Sequence, residues 1–210
     1  TTGQVTLTSV SDTVANITSI DGLTTTQVSM AAANVSITDT GASKTQVDTV
    51  NGFTTGTVTP TSISEDKADI TTLQGTTGIS LATTNITVTD QVNKSEADTI
   101  NGYTTGQVVL NSASMTVTEL AAVEALNDSV MKFADDGAIS VSDAASLTNA
   151  NTINDYTTGQ VTLTSVSDTV ANITTIDGLT TTQVSMAAAT VSITDTGCLL
   201  YTSPSPRDNR

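Results

Sequence analysis

The chain repeats itself. Thr-Thr-Gly-x-Val occurs at Thr1-Thr2-Gly3-Gln4-Val5, Thr54-Thr55-Gly56-Thr57-Val58, Thr104-Thr105-Gly106-Gln107-Val108 and Thr157-Thr158-Gly159-Gln160-Val161, at spacings of 53, 50 and 53 residues. A fixed period of this size marks an array of similar units, each too small to bury its own apolar edge and each completed by its neighbour. Any function of such an array lies on a surface repeated along it more readily than in one pocket. Residues 1–41 and 157–197 agree at 39 of 41 positions, differing only at Ser19/Thr175 and Asn34/Thr190. Recent duplication produces such a match; so does a short-read assembly that joins two repeats.

Each period divides into a short and a long coil. An apolar residue precedes every turn: Ile20, Val50, Leu73, Ile100, Leu126, Ile153 and Ile176. Three residues earlier stand Ile17, Val47, Ile70, Ala97, Val123, Ala150 and Ile173. Spacing of three with polar residues between predicts a helix of one or two turns with one buried stripe. Two residues past the anchor comes Gly22, Gly52, Gly75, Gly102, Asp128, Asp155 or Gly178. These are expected to close the helix in the left-handed conformation, which Gly adopts readily and Asp less so. Asp12, Asp39, Asp90, Asp143 and Asp168, with Glu65 or Asp66 and Glu119 in the other coils, read as helix-start carboxylates that accept from free N–H groups. Glu119 is expected to open a helix over 119–126.

Alternating runs precede these acids, as in Val35-Ser36-Ile37-Thr38, Ile86-Thr87-Val88-Thr89, Met115-Thr116-Val117-Thr118 and Ile139-Ser140-Val141-Ser142. Period-two alternation predicts a half-buried strand. A second short strand follows each turn, at Val5/Leu7, Val28/Met30, Ile79/Leu81, Val108/Leu110 and Val161/Leu163. Pro60 interrupts one of them and cannot donate to a ladder, so an irregularity is expected there. The expected fold is an α/β solenoid with two short parallel strands and one short helix per coil of about 22–30 residues. Residues 1–197 form one array of about seven coils with a supra-repeat of about 52 residues. A parallel β-helix, with loops in place of helices, is the alternative.

Composition narrows function. There are 21 Asp and Glu against 6 Lys and Arg, a net charge of −15, no His and no Trp. Such a chain does not neutralise nucleic-acid phosphates. It repels anionic membranes and attracts cations. No run reaches the roughly 20 apolar residues of a membrane-spanning helix. Without His there is no Ser-His-Asp triad, and no phosphate-binding Gly-Lys motif is present. Carboxylate pairs on solenoids can cleave glycans, but every carboxylate here recurs in a repeat role. No enzymatic activity and no cofactor are therefore expected. Few aromatics and high charge favour disorder; the regular apolar spacing opposes it.

The tail breaks the pattern. Cys198-Leu199-Leu200-Tyr201-Thr202-Ser203-Pro204-Ser205-Pro206-Arg207-Asp208 holds the one Cys and two of the three Pro. It resembles the translated read-through of a sequencing adapter, so residues 198–210 are set apart as a non-native or disordered tail. The first residue is Thr, with no signal peptide at this end, which says nothing about compartment. The Cys-free, Thr-rich, acidic body fits a secreted protein that does without disulfides.

Several positions are candidates for binding. Ser36/Thr38, Ser62/Ser64, Thr87/Thr89, Thr116/Thr118, Ser140/Ser142 and Ser192/Thr194 are expected to stack as a hydroxyl array. This is either an ordinary outward strand face or a surface for ice or glycans. The acidic column, with Asp48 and Asp98 and above all the paired Asp135 and Asp136, offers hard oxygen ligands suited to calcium. Its alternative role is helix capping. Asp21, Asn51, Gln74, Asn101, Asn127, Asn154 and Asp177 are expected to bond from coil to coil. Phe53, Tyr103 and Tyr156 are expected to pack over the turns. Asn16, Asn34 and Asn85 lie in glycosylation sequons, which occur by chance in so Thr-rich a chain.

The stretch Glu96-Ala97-Asp98-Thr99-Ile100-Asn101-Gly102-Tyr103-Thr104-Thr105-Gly106 resembles repeats of giant secreted or cell-surface, adhesin-like proteins of marine cyanobacteria and other bacteria, and the likeness runs over residues 1–197. The resemblance implies an extracellular stalk or spacer whose partners are neighbouring repeats of a longer chain, with surface glycans or calcium as further ligands. A calcium-, ice- or glycan-binding module is the alternative expectation, and a glycan-cleaving enzyme the remotest.

Overall fold

Seven helices punctuate the described residues: α1 Val14–Gly22, α2 Lys44–Asn51, α3 Lys67–Gly75, α4 Lys94–Asn101, α5 Val117–Glu124, α6 Leu147–Asn154 and α7 Val170–Leu179. The computed structural model describes residues 3–23, 27–179 and 183–195. Each of the first six helices starts at a side-chain cap. Thr13, Ser43, Asp66, Asn93, Thr116 and Ser146 accept from the backbone N–H three residues on, which satisfies a donor the helix cannot. Ser43, Asn93, Thr116 and Ser146 form full capping boxes with Gln46, Glu96, Glu119 and Asn149. Thr169 accepts from Asn172 N–H at 3.3 Å in the same manner.

One spacing then governs the buried face. The residues four and seven past the cap are the buried pairs Val47/Val50, Ile70/Leu73, Ala97/Ile100, Leu120/Val123 and Ala150/Ile153. In α1 the buried member is Ile17 and in α7 it is Ile176. These two positions sit nearly above one another on a helix, so two residues per unit suffice to close it over the strands.

This frame corrects the sequence reading of α5. The anchor there is Val123 with Leu120, and Leu126 is exposed. The helix begins at Val117, not Glu119, and Thr116 is its cap. The apparent strand Met115–Thr118 therefore ends at Met115. Alternation misled because capping residues are polar and the first helical residue, Val117, is apolar.

The closing glycines are also corrected. Gly52 and Gly102 have φ of −70° and −68°, in the right-handed region, and Asp155 and Ala125 occupy the same place at −76° and −73°. The last turn tightens instead: Gly52 N–H donates to Asp48 and Thr49, and Phe53 N–H to Val50. Any residue can adopt that geometry, which is why Asp and Ala stand in for Gly. Among the described residues, the glycines with positive φ are Gly41 and Gly78.

The strands are β1 Val5–Thr6, β2 Ser9–Asp12, β3 Val28–Ser29, β4 Asn34–Ile37, β5 Val58–Pro60, β6 Ser62–Glu65, β7 Asn85–Val92, β8 Val108–Met115, β9 Met131–Ala145, β10 Val161–Asp168, β11 Val184–Ser185 and β12 Thr190–Ile193. Every pairing between them is parallel. They form the sets β1-β3, β2-β4-β5 and β6-β7-β8-β9-β10-β11, with β12 also on β10. The sheets are open and none closes on itself. Thr61, after Pro60, separates β5 from β6, whereas the same stretch runs unbroken through β8 and β10, as expected of a Pro at that position.

The rows of paired residues are staggered. Val35 pairs with both Val10 and Val58, and Val58 pairs onward with Ile79. A second row runs Ala42, Ile63, Ile86, Val108, Met131, and a third Val92, Ala113, Ile139, Val161, Val184. The longer unit carries one more strand segment than the shorter, so the register moves by one segment every two units. That is why the sequence recurs after two units and not after one. The buried residues of these rows, with the helix pairs, make one aliphatic core in which Phe133 is the buried aromatic among the described residues. Among the described residues no helix is long and apolar enough to cross a membrane.

The cap-plus-four, cap-plus-seven frame separates two leucines six residues apart. Leu120→Ala is expected to cost about 2–5 kcal/mol, as a buried aliphatic truncation does. Leu126→Ala is expected to stay within about 0.5 kcal/mol. Urea unfolding of both variants checks the frame; equal losses would sink it.

Candidate functional site

The repeated motif is a clamp between units. Thr54 Oγ donates to the Ala33 carbonyl at 2.6 Å and accepts from Gly56 N–H at 2.9 Å. Thr55 places both its N–H and its hydroxyl on the Ala31 carbonyl, at 2.9 and 3.0 Å. The next period repeats this with Thr104 on Thr84 and Thr105 on Ala82. The last has Thr157 on Gly137 and Thr158 on Asp135. The carbonyls come from a tight turn in the preceding unit, held by Ala33 N–H to Met30 and Thr84 N–H to Leu81. Gly is required for close approach. A Cβ at Gly56, Gly106 or Gly159 would fall on the backbone oxygen of Ala33, Thr84 or Asp136 respectively. Each clamp satisfies one carbonyl of a buried residue, Ala33, Thr84 or Gly137, that would otherwise be stranded between units. The sequence announced the motif by repetition; its partners, 20 to 24 residues away, were not legible.

The helix-start acids form a second inter-unit system. Asp39 accepts from Val14 N–H at 2.7 Å, Glu65 from Lys44 N–H at 2.6 Å and Asp90 from Lys67 N–H at 2.9 Å. Asp143 accepts from Val117 N–H, Asp168 from Leu147 N–H and Asp195 from Val170 N–H, at 2.8 to 2.9 Å. Each donor is the first residue of the preceding unit's helix. The chemistry expected of these acids is present, but these six reach to the neighbouring helix; Asp168 accepts also from Thr169 N–H at the start of its own, as Asp12 does from Thr13 N–H, and Glu119 closes the capping box of its own helix. Asp66, one of the two acids read at that helix start, caps α3 itself, while the other helices take Thr, Ser or Asn as caps, residues that the sequence reading passed over. Before α5 the corresponding place holds Met115, which offers no carboxylate.

Local bonding tunes several groups. Asp168 is held below the usual Asp range by the Leu147 N–H, then by the Asn172 amide and Thr169 N–H. Asp12 is lowered by the Asn16 amide and Thr13 N–H. The Lys67–Glu96 pair, 2.9 Å apart, bridges α3 and α4; it lowers Glu96 and raises Lys67. Asp48 and Asp98 pair with Lys44 and Lys94, each at 2.6 Å and four residues apart on one helix. Burial lifts the Glu124 carboxyl, and nearby Asp128 lifts it further. Burial also raises the Tyr156 hydroxyl, with Glu124 adding to it.

The remaining candidates fall as follows. The Asp135 carboxylate is exposed and pairs with Lys132 at 3.3 Å, while its carbonyl serves the Thr158 clamp. Asp136 follows it in β9, with its carbonyl under Gly159. Among the described residues no group of three or more acidic, His or Cys side chains gathers to hold a metal. The hydroxyl rows do not run the length of the array: Ser11, Ser36 and Thr59 form one and Ser114, Ser140, Thr162 and Ser185 another, while Ser64 and Thr87 continue into Val109 and Lys132. Ser62 accepts from Gly41 N–H of the preceding unit, and Thr116 and Thr118 belong to a helix start. Of the amide column, Asn51 reaches the Thr77 carbonyl at 3.2 Å, whereas Asn127 closes its own turn on Ser129. Phe53, Tyr103 and Tyr156 pack against the core beside the turns, Tyr156 stacked on Phe133 with centroids 6.3 Å apart. Asn34 and Asn85, read as sequons, accept from Thr57 and Gln107 N–H of the next unit. Asn16 donates to Asp12. Comparison with protein-family models, curated proteins and solved structures finds no match.

Two outcomes test these systems. Gly56→Ala is expected to cost at least about 1–3 kcal/mol, the range for a side chain forced into filled space. Gly52→Ala, whose Cβ meets Thr49 O at 3.3 Å and Asp48 O at 3.7 Å, is expected to be nearly neutral; thermal melts compare the two. For Asp168, a lowered folded pKa means that the ionised form stabilises the fold above the unfolded value of about 3.9. That contribution disappears as pH falls through the folded value. The melting difference between the parent and Asp168→Ala should therefore be constant from pH 7 to 5 and narrow below pH 4. A difference that widens in acid would contradict the ladder.

Proposed function

We propose that the chain is a stretch of α/β solenoid that serves as a structural spacer or stalk in a large extracellular or cell-surface repeat protein, adhesion-related and without catalysis of its own. The observation that carries this reading is the Thr-Thr-Gly clamp, recurring at three junctions with the same partners. The repeated polar groups are turned toward the adjoining unit. A chain whose recurrent chemistry is self-adhesion along one direction is suited to setting distance. The extracellular placement draws on the acidity, the near absence of Cys and the resemblance of residues 1–197 to surface repeats.

A spacer must lengthen by whole repeats without losing stability. A second copy of residues 54–103 inserted after residue 103 adds two units. The maximum dimension in small-angle scattering should grow by about 10 Å, two strand spacings. The melting temperature should hold or rise, because nearest-neighbour interfaces are added. Melting should be cooperative and unchanged by millimolar calcium. Folding only in calcium would replace the spacer reading with a calcium-dependent module, and unfolding on insertion would end the solenoid reading.

A further inference from the structure

Two asparagines of the chain are followed by glycine, Asn51-Gly52 and Asn101-Gly102, in nearly the same local sequence: Val50 and Phe53 flank the first, Ile100 and Tyr103 the second. Glycine after asparagine leaves the way open for the glycine nitrogen to reach the side-chain carbonyl carbon, because no Cβ stands in its path. The third period lacks the pair, since Asn154 is followed by Asp155. Asn51 and Asn101 end helices α2 and α4, and both glycines are exposed. Helix ends fray, and a last turn opens at far less cost than the whole fold.

The two ends are not held alike. Gly52 N–H donates to Asp48 O at 3.0 Å and to Thr49 O at 3.2 Å, and the Asn51 amide donates to the Thr77 carbonyl of the next unit at 3.2 Å. Gly78 closes over the same side chain, so that a Cβ there would lie 2.7 Å from Asn51 Oδ1. Gly102 N–H donates to Asp98 O at 3.0 Å, and among the described residues the Asn101 side chain has no bond of the kind that Asn51 makes. The turn after α5 accounts for the difference. Val130 stands where Gly78 does, each giving its carbonyl to a strand residue of the preceding unit, Val108 and Val58. Its neighbours bond among themselves, with Asn127 Oδ1 accepting from both the N–H and the hydroxyl of Ser129.

We propose that Asn101 is a site of spontaneous modification, converted by attack of the Gly102 nitrogen into isoaspartate and aspartate, and that the conversion loosens the clamp that follows it. The bond from the Gly102 nitrogen to Asn101 Cγ forms as the bond from Cγ to Nδ2 breaks, and the amide leaves as ammonia carrying the Gly102 proton. Water then opens the cyclic imide at either of its carbonyls. Ammonia lost and water gained balance the change. While the last turn is closed, the Gly102 N–H is held on Asp98 O and cannot attack, so the reaction reads the opening of that turn. The product carries a carboxylate where an amide stood. Negative charge at a helix C-terminus opposes the helix dipole, and Asp98 lies three residues back on the same face, so the opened turn closes less well. Isoaspartate also adds a methylene to the main chain just before Thr104, whose hydroxyl donates to the Thr84 carbonyl at 2.7 Å. The approach at Gly106 leaves no space for a Cβ, so the junction has no slack to take up the added length. The inference stands apart from the spacer reading, which the insertion experiment tests without reference to Asn101.

Peptide mass mapping of the full chain, aged in warm and mildly alkaline buffer, tests this. Each conversion exchanges an amide for an acid and shows as a gain in mass, and isoaspartate is recognised by enzymatic methylation. In urea both asparagines should convert at similar rates, because their neighbours in sequence are alike. In the folded chain Asn101 should convert severalfold faster than Asn51. Gly102→Ala should suppress the change at residue 101, and Asp155 at the corresponding place shows that a side chain is accommodated there. In the aged chain the Thr105 and Gly106 amides should exchange faster with solvent deuterium, while Thr55 and Gly56 keep their original rates. A folded chain in which Asn51 converts as fast as Asn101, or in which neither changes while the unfolded chain is consumed, would overturn the site. Unaltered exchange at Thr105 after conversion would overturn the loosening of the clamp.

Discussion

A single strand–helix unit of this chain exposes backbone on both of its flat sides, and everything else follows from how those groups are satisfied. A turn carbonyl such as Ala33 O lies where water is excluded once the next unit lands on it. Left unpaired it would cost on the order of 1–3 kcal/mol. Thr54 meets it with a hydroxyl that also takes the Gly56 N–H, so one side chain closes two valences. The Gly two residues on lets the backbones approach closely enough for this to happen. Thr supplies the hydroxyl without the conformational freedom of a longer polar chain. Lengthening the side chain or adding a Cβ at the Gly would separate the units and strand the carbonyl.

Part of the acidic character has the same origin. Each helix of eight to ten residues presents free N–H groups and a partial positive charge at its start. Its own cap satisfies the third N–H, and the first is left to a carboxylate reaching over from the next unit, as Asp39 does for Val14. A ladder of this kind demands about one acid per unit with no compensating base. The lysines present are drawn into pairs too, Lys44 with Asp48 and Lys67 with Glu96 on or between helices and Lys132 with Asp135 in β9. Such partly exposed pairs add little individually. Six of the 21 carboxylates are thus placed by how the helices begin, before any ligand is invoked.

What could be read from the sequence was what is local. The buried pairs of α2, α3, α4 and α6 were legible because apolar residues three apart in a polar background permit few other readings. The strands at Val35–Ile37 and Ile139–Val141 were legible from alternation. The reading slipped at α5, where Val123 belongs equally well to the pairs Leu120/Val123 and Val123/Leu126. The capping residue Thr116 decides between them, since a cap followed at four and seven is satisfied only by the first. The carboxylates were recognised as N–H acceptors, yet their targets lie 21 to 26 residues back. No local pattern states whether a carboxylate turns to its own helix or to its neighbour's. The glycines after the helices misled for a related reason: Gly is compatible with a left-handed closure but does not demand it, and Asp155 at the same place was the sign that it was not used.

The stagger between long and short units links these observations. If every unit had the same number of strand segments, each row would stay on one side of the array and a single-unit period would serve. The extra segment near Ala42, and its counterparts in β7 and β9, opens the row that Ile63 joins, while Val58 takes the place on the older row that Val10 held two units before. Clamp and receiving turn therefore fall on alternate units, and the Thr-Thr-Gly motif recurs at twice the unit length. A junction in which a short unit follows a long one is clamped by threonines; in the converse junction, where β3 and β4 follow β1 and β2, strand pairing and Asp39 hold the contact.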